Sequence, residues 1–161
     1  TEVIEALNLD GSVMDRALRV ESWIVADGAQ PTAGAADFLT SLPAHRWAVV
    51  TSSLRPTAMS RFEGTELPAP EVAITAEDVV NGKPDPSCYL AGAAALGVEP
   101  HDCVVIEDAP AGVAAGKAAG MRVIAVTTTH PAEELAAADL IIDSLALLTV
   151  RTVGDEVVLE T

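Results

Sequence analysis

Large rings are nearly absent from this 161-residue chain: Phe, Trp and Tyr make up 3% of it, although half the residues are hydrophobic. Its core must therefore be built from Ala, Val, Leu and Ile, a composition that suits strands buried on both faces between alanine-rich helices. Positive charge is scarce too. Nine Lys and Arg stand against 24 Asp and Glu, a net charge of -15, which repels nucleic-acid phosphates and anionic membrane surfaces and argues against both as partners. The same field opposes a small anion, so a phosphate site here needs a local Lys or a bound Mg2+ to reverse it. Cysteine is limited to Cys88 and Cys103, with no CxxC and no companion His cluster; the two are expected to be reduced packing residues of a cytoplasmic protein. No apolar run approaches the roughly 18 residues that a membrane span requires. The opening residues, TEVIEALNLD, lack the pattern of a signal peptide.

The length fits one ordinary domain. Residues 2 to 25 place Val3, Ile4, Leu7, Met14, Ala17, Leu18, Trp23 and Ile24 at helical spacing in two pieces divided near Asp10-Gly11, which predicts a helical pair. Gly28 to Gly34, with Pro31, breaks that pattern and sets a boundary near residue 29; a short helix, AADFLTSL, follows and stops at Pro43. Strands and helices then alternate: WAVVT (47 to 51), a helix over 56 to 63, EVAIT (71 to 75), a helix over 86 to 96, CVVIE (103 to 107), a helix over 110 to 119, RVIAVT (122 to 127) and LIID (140 to 143). Short apolar runs separated by helices imply βαβ units and a parallel sheet. The tail, LTVRTV then EVVLE around Gly154-Asp155, predicts a hairpin.

Ligand sites in open parallel sheets form outside the carboxyl ends of the strands, and three such ends carry chemistry. AVVTSSLRPT delivers Thr51, Ser52 and Ser53 to a strand tip before a helix. A hydroxyl and free helix-start N–H groups can hold a phosphate, although this segment taken alone reads first as Thr51 or Ser53 capping the helix. NGKPDPSCYL sets Lys83 between Gly82 and Pro84, on a stiff loop that suits an ammonium meant for developing phosphoryl charge rather than for solvent. CVVIEDAPAG ends an apolar strand in Glu107 and Asp108 before a Pro-opened helix; the pair is either a Mg2+ site or a set of acids favoured at a helix start.

In this order, spaced by 32 and 24 residues (51 to 83, 83 to 107), the segments TSS, GKPDP and EDAPAG resemble motifs two, three and four of the haloacid dehalogenase superfamily. The likeness is greatest to its sugar-phosphate and polyol-phosphate phosphatases and extends over about residues 13 to 160, including ITAEDVVNGKPDP and VTTTH. The resemblance implies an α/β fold: a Rossmannoid parallel sheet flanked by helices, with a partial helical cap (1–29), the core (30–146) and a C-terminal hairpin (147–161). It also implies a Mg2+-dependent hydrolase that acts on a small phosphorylated metabolite through an aspartyl-phosphate. Thr51 would bind a phosphate oxygen with help from the Ser52 N–H, and Lys83 would bridge phosphate and nucleophile. Asp108 would ligate Mg2+, with Glu107 in or beside its shell, and Ser53 and Arg55 would lie near the substrate phosphate. His45, His101 and His130 match no catalytic position and are assigned to the surface.

The family's first motif, DxDGT, supplies the nucleophile, and no DxD occurs here. The nearest string, Asn8-Leu9-Asp10-Gly11-Ser12, would be a degenerate copy in which an amide replaces the nucleophile. Residues 1 to 27 more closely resemble the closing helices of the family's cap, which points to an N-terminal truncation. The expectations are therefore a phosphatase whose first motif lies in a segment upstream of Thr1, a phosphate- and Mg2+-binding pseudoenzyme, or an incomplete domain with a structural or interaction role. In the family the strand bearing the first motif runs between the strands that end here at Thr51 and Glu107. Its loss would leave two open edges and favour self-association.

Overall fold

The computed structural model describes residues 17–20, 31–63, 65–154 and 156–161. Among the described residues six strands form one sheet in the order β3-β2-β1-β4-β5-β6, all neighbours parallel. They are β1 (Ala17–Val20), β2 (Trp47–Val50), β3 (Val72–Ile74), β4 (Cys103–Glu107), β5 (Arg122–Val126) and β6 (Leu140–Ile142). The helices α1 (Ala35–Ser41), α2 (Arg55–Glu63), α3 (Ser87–Leu96) and α4 (Pro110–Ala118) connect or flank them. An antiparallel hairpin, β7 (Thr149–Val153) and β8 (Glu156–Glu160), closes the chain.

The apolar runs explain the layering. Every residue of β2 and β4 is buried, and side chains alternate between the two faces of the sheet. Trp47, Val49, Val104, Ile106, Ile124 and Val126 pack on one side with Phe38 and Leu39 of α1, Phe62 of α2, and Val157 and Leu159 of β8. Val50, Cys103, Val105, Val123 and Ala125 pack on the other with Tyr89 and Ala93 of α3 and Val113 and Ala115 of α4. Both cysteines are buried and unpaired with each other. Gly34 opens α1 in the left-handed region, φ 84°, where a Cβ would also collide with the backbone of Ala146. Gly97 ends α3 at φ 69° while its N–H caps the last carbonyls.

One expectation is overturned. Residues 17–20 are a strand, where helical spacing predicted part of a helical pair; the rest of residues 2 to 25, the Asn8 to Ser12 string among them, lies outside the described residues. β1 takes the central place, with Leu18 in register with Trp47 and Val104 and Val20 with Val49 and Ile106. The open edges expected on β2 and β4 are thus paired, and that basis for self-association is removed. The physical reason is backbone demand: two apolar strands one place apart each have unpaired N–H and C=O groups, and a four-residue segment between them satisfies both ladders. The sequence ALRV, with Arg19 inside it, carries none of the continuous apolar signature of such a strand.

Candidate active site

The strand order reverses direction between β1 and β4, the switch point where open α/β sheets place their ligands. Thr51, Glu107, Asp108 and the 127–129 segment all emerge at the carboxyl ends of β2, β4 and β5.

Thr51 is buried, and its N–H continues the ladder to the Ile74 carbonyl at 2.8 Å. Its Oγ1 accepts the Ser53 N–H at 3.1 Å, which leaves the hydroxyl proton to be donated to an incoming oxygen. Thr51, Ser52 and Lys83 share one cavity of about 160 Å³, walled also by Val79, Gly82 and Cys88.

Lys83 leads into a cis peptide bond to Pro84, and its side chain is only 9% exposed. Nζ donates to Glu107 Oε1 at 2.7 Å and lies 4.7 Å from the ring centroid of Tyr89. Burial pushes this ammonium below the ordinary lysine range, while the adjoining Glu107 carboxylate works in the opposite direction.

The two strand-end carboxylates have different environments. Glu107 Oε1 accepts from Lys83 and from the Tyr89 hydroxyl, each at 2.7 Å, and Oε2 accepts the backbone N–H groups of Asp108 at 2.9 Å and Ala109 at 3.0 Å. Both oxygens are engaged, and the carboxylate lies so close over Gly112 that any Cβ there would overlap it. Asp108 is buried; its Oδ2 accepts from Thr128 Oγ1 at 3.2 Å and Thr129 Oγ1 at 3.0 Å. Among the described residues Oδ1 accepts no hydrogen bond. Burial raises the Asp108 carboxyl above the usual range, with the Thr129 bond opposing it. A dehydrated carboxylate with an oxygen to spare suits a hard divalent cation, which keeps several waters and takes one or two protein carboxylates together with phosphate oxygens. Among the described residues no cluster of three or more His, Cys, Asp or Glu could hold a metal ion on its own.

Two sequence-predicted residues point elsewhere. Ser53 Oγ accepts Arg61 Nη1 at 3.2 Å. Arg55 donates from Nη2 to Asp78 Oδ2 at 2.6 Å and to the Ala73 carbonyl at 3.2 Å, covering part of the β3 edge. The Arg55 N–H, at the start of α2, is taken by Glu77 Oε2 at 2.8 Å, so this helix-start donor is committed to a carboxylate and not to a phosphate. His45 and His101 are exposed as expected, but His130 is only partly so: its Nδ1 lies 2.9 Å from the Asp108 carbonyl and 2.9 Å from Thr129 Oγ1. Sequence reasoning gave no role to Tyr89 or His130 and only a family likeness to the threonines. Tyr89 had a local signal, since it follows Pro86 by three residues on the same helix as the Lys83 loop.

The family model for haloacid dehalogenase-like hydrolases matches residues 3–120. The chain belongs to that family. Among curated relatives, hexitol phosphatase A of Escherichia coli is 52% identical over 104 residues, covering 65% of this chain and 48% of the relative. Glycerol-1-phosphate phosphohydrolase 1 of Saccharomyces cerevisiae is 45% identical over 98 residues, covering 56% and 39%. The chain thus spans about half the length of these relatives, or less. A solved haloacid dehalogenase family hydrolase from Deinococcus radiodurans, with bound phosphate and sodium, superposes with a TM-score of 0.65 at 31% identity over 74% of this chain and 57% of that one.

No helix among the described residues is long and apolar enough to cross a membrane.

Proposed function

We propose that this chain carries the phosphate- and cation-binding part of a Mg2+-dependent phosphomonoester hydrolase for small sugar or polyol phosphates. The observation that carries the reading is the buried Lys83 ammonium beside Thr51 in one cavity, paired with a carboxylate that also orients the Asp108 loop. The Glu107 carboxylate offsets the cost of burying this ammonium, and the place of Lys83 in the wall of the same cavity as Thr51 leaves it positioned to meet a phosphate oxygen as well. The relatives' names, hexitol phosphatase and glycerol-1-phosphate phosphohydrolase, supply the substrate class.

In this reading Thr51 donates its hydroxyl proton, and Ser52 its N–H, to phosphate oxygens. Lys83 neutralises charge that accumulates on the phosphoryl group. Asp108 would hold Mg2+, which when bound would offset phosphate charge; Thr128 and Thr129 aim the Asp108 carboxylate, and Glu107 acts as the tether of Lys83 and of the loop. Hydrolysis through an aspartyl-phosphate calls for an aspartate at the end of the strand between β2 and β4. The sequence that follows β1, ESW, contains no Asp, and the chain has no DxD. Residues 1 to 161 on their own are therefore expected to bind phosphate and Mg2+ without turnover.

Calorimetry tests the site. Inorganic phosphate and Mg2+ should each strengthen the binding of the other, and Lys83→Ala should weaken phosphate by a factor of about ten or more, the value of a hydrogen bond to a charged group. Equal phosphate affinity with and without Mg2+, and in Lys83→Ala, would remove the assignment.

A further inference from the structure

We propose that Tyr89 is a positioning residue for the Lys83 ammonium, its ring supporting the cation and its hydroxyl fixing the carboxylate that the cation pairs with. Tyr89 is fully buried on α3, facing the side of the sheet on which Lys83 enters. The ring centroid is 4.7 Å from Nζ, and the hydroxyl donates to Glu107 Oε1 at 2.7 Å, the same oxygen that Lys83 reaches at 2.7 Å. One side chain therefore contacts both members of the ion pair.

The two contacts do different work. The π face attracts the ammonium and limits where it can go; a lysine otherwise carries a long, flexible stem with several rotatable bonds. The hydroxyl takes up part of the acceptor capacity of Oε1. Without it, Glu107 would draw Lys83 more strongly to itself and away from the cavity that Lys83 shares with Thr51. A phenylalanine would keep the first effect and lose the second; a leucine would lose both.

The inference rests on the reading of Lys83 as a phosphate ligand, and the test separates the two. Lysine occurs only at positions 83 and 117, so a chain labelled with 13C,15N-lysine gives two side-chain spectra, with Lys83→Ala assigning them. The ring should shift the Lys83 ε-methylene protons upfield; Tyr89→Phe should keep that shift and Tyr89→Leu should abolish it, with the Lys117 signals unchanged in both. Binding of inorganic phosphate in the presence of Mg2+ should weaken about fivefold in Tyr89→Phe, as for the loss of one hydrogen bond, and further in Tyr89→Leu. If Lys83→Ala abolishes phosphate binding while both Tyr89 variants match the wild type, the positioning role is overturned and the phosphate site stands. If Lys83→Ala binds phosphate as well as the wild type does, the phosphate reading falls and takes this inference with it. Should Tyr89→Leu fail to fold, Tyr89→Phe still decides, because it leaves the core volume almost unchanged.

Discussion

At the scale of single residues, the site depends on groups whose importance lies in what they leave room for or hold still. Gly112 is the sharpest case, because a Cβ there would occupy the place of the Glu107 carboxylate. That carboxylate is the end of a flexible side chain, yet it is buried and receives four hydrogen bonds from described residues, so it cannot swing aside without breaking them. Gly112→Ala is expected to destabilise the fold by about 1–3 kcal/mol, the cost of stranding buried polar groups, and to weaken phosphate binding. Chemical denaturation with parallel calorimetry checks both, and a variant as stable as the wild type would show that Glu107 has another resting place. Asp78 makes a different prediction. The Thr75 N–H, then the Thr75 hydroxyl, hold its carboxyl below the usual value of 3.8, with Arg55 adding to the effect. A carboxyl whose folded-state value is depressed contributes stability above its unfolded value and loses it as pH falls through the folded one. Asp78→Asn should therefore be less stable than the wild type near neutrality, and the gap should close as pH drops below 3.8. Thermal melts across that range would show it; a constant gap would mean the carboxylate charge contributes nothing.

At the scale of elements, most of the fold could be read from the chain. β4 is CVVIE as expected, and β2, β3, β5, β6 and the four helices fall within one or two residues of their predicted bounds. These elements announce themselves because each is a short apolar run closed by Gly, Pro or a capping polar residue. β1 does not. Its four residues include Arg19 and follow Arg16 and precede Glu21, so its conformation is set by the strands on either side and not by its own pattern. Of the candidate site, what sequence marks is position: Thr51 and Asp108 stand just past strand ends and Lys83 before a proline turn. The partners of Arg55 and Ser53, Asp78 and Arg61, were not legible because they are chosen by tertiary contact. If β1 is held chiefly by its two ladders, Leu18→Pro, which removes a backbone donor and restricts the preceding residue, should expose β2 and β4 together. Hydrogen exchange reads this directly. Backbone N–H groups alternate in direction along a strand. Because the Thr51 N–H bonds the Ile74 carbonyl beside β3, it is Ala48 on β2, and by the register of β4 with β5 Ile106 on β4, whose N–H groups face β1. Faster exchange at Ala48 and Ile106 with Val123 still protected is expected, whereas unchanged protection at all three would mean that β1 does not complete the sheet.

At the scale of the whole molecule, charge sets a condition on any ligand. The net charge of -15 surrounds a cavity whose lining, among the described residues, has Lys83 as its cation. An approaching phosphate dianion is repelled by the far field and attracted only at short range. Salt screens exposed charges over a Debye length of about 10 Å at 0.1 M but acts much less on a buried pair. Added salt should therefore weaken the long-range repulsion more than the short-range attraction, so phosphate should associate faster as ionic strength rises. For Mg2+ the sign reverses, since the same field draws the cation in and screening removes that help. Stopped-flow or exchange-NMR association rates for each ligand alone, measured with an inert salt between about 0.01 and 0.2 M, should diverge in opposite directions. A phosphate rate that falls with salt, in parallel with Mg2+, would mean that the field at the cavity mouth is positive despite the acidity of the chain, and that cationic groups beyond Lys83 guide the anion in.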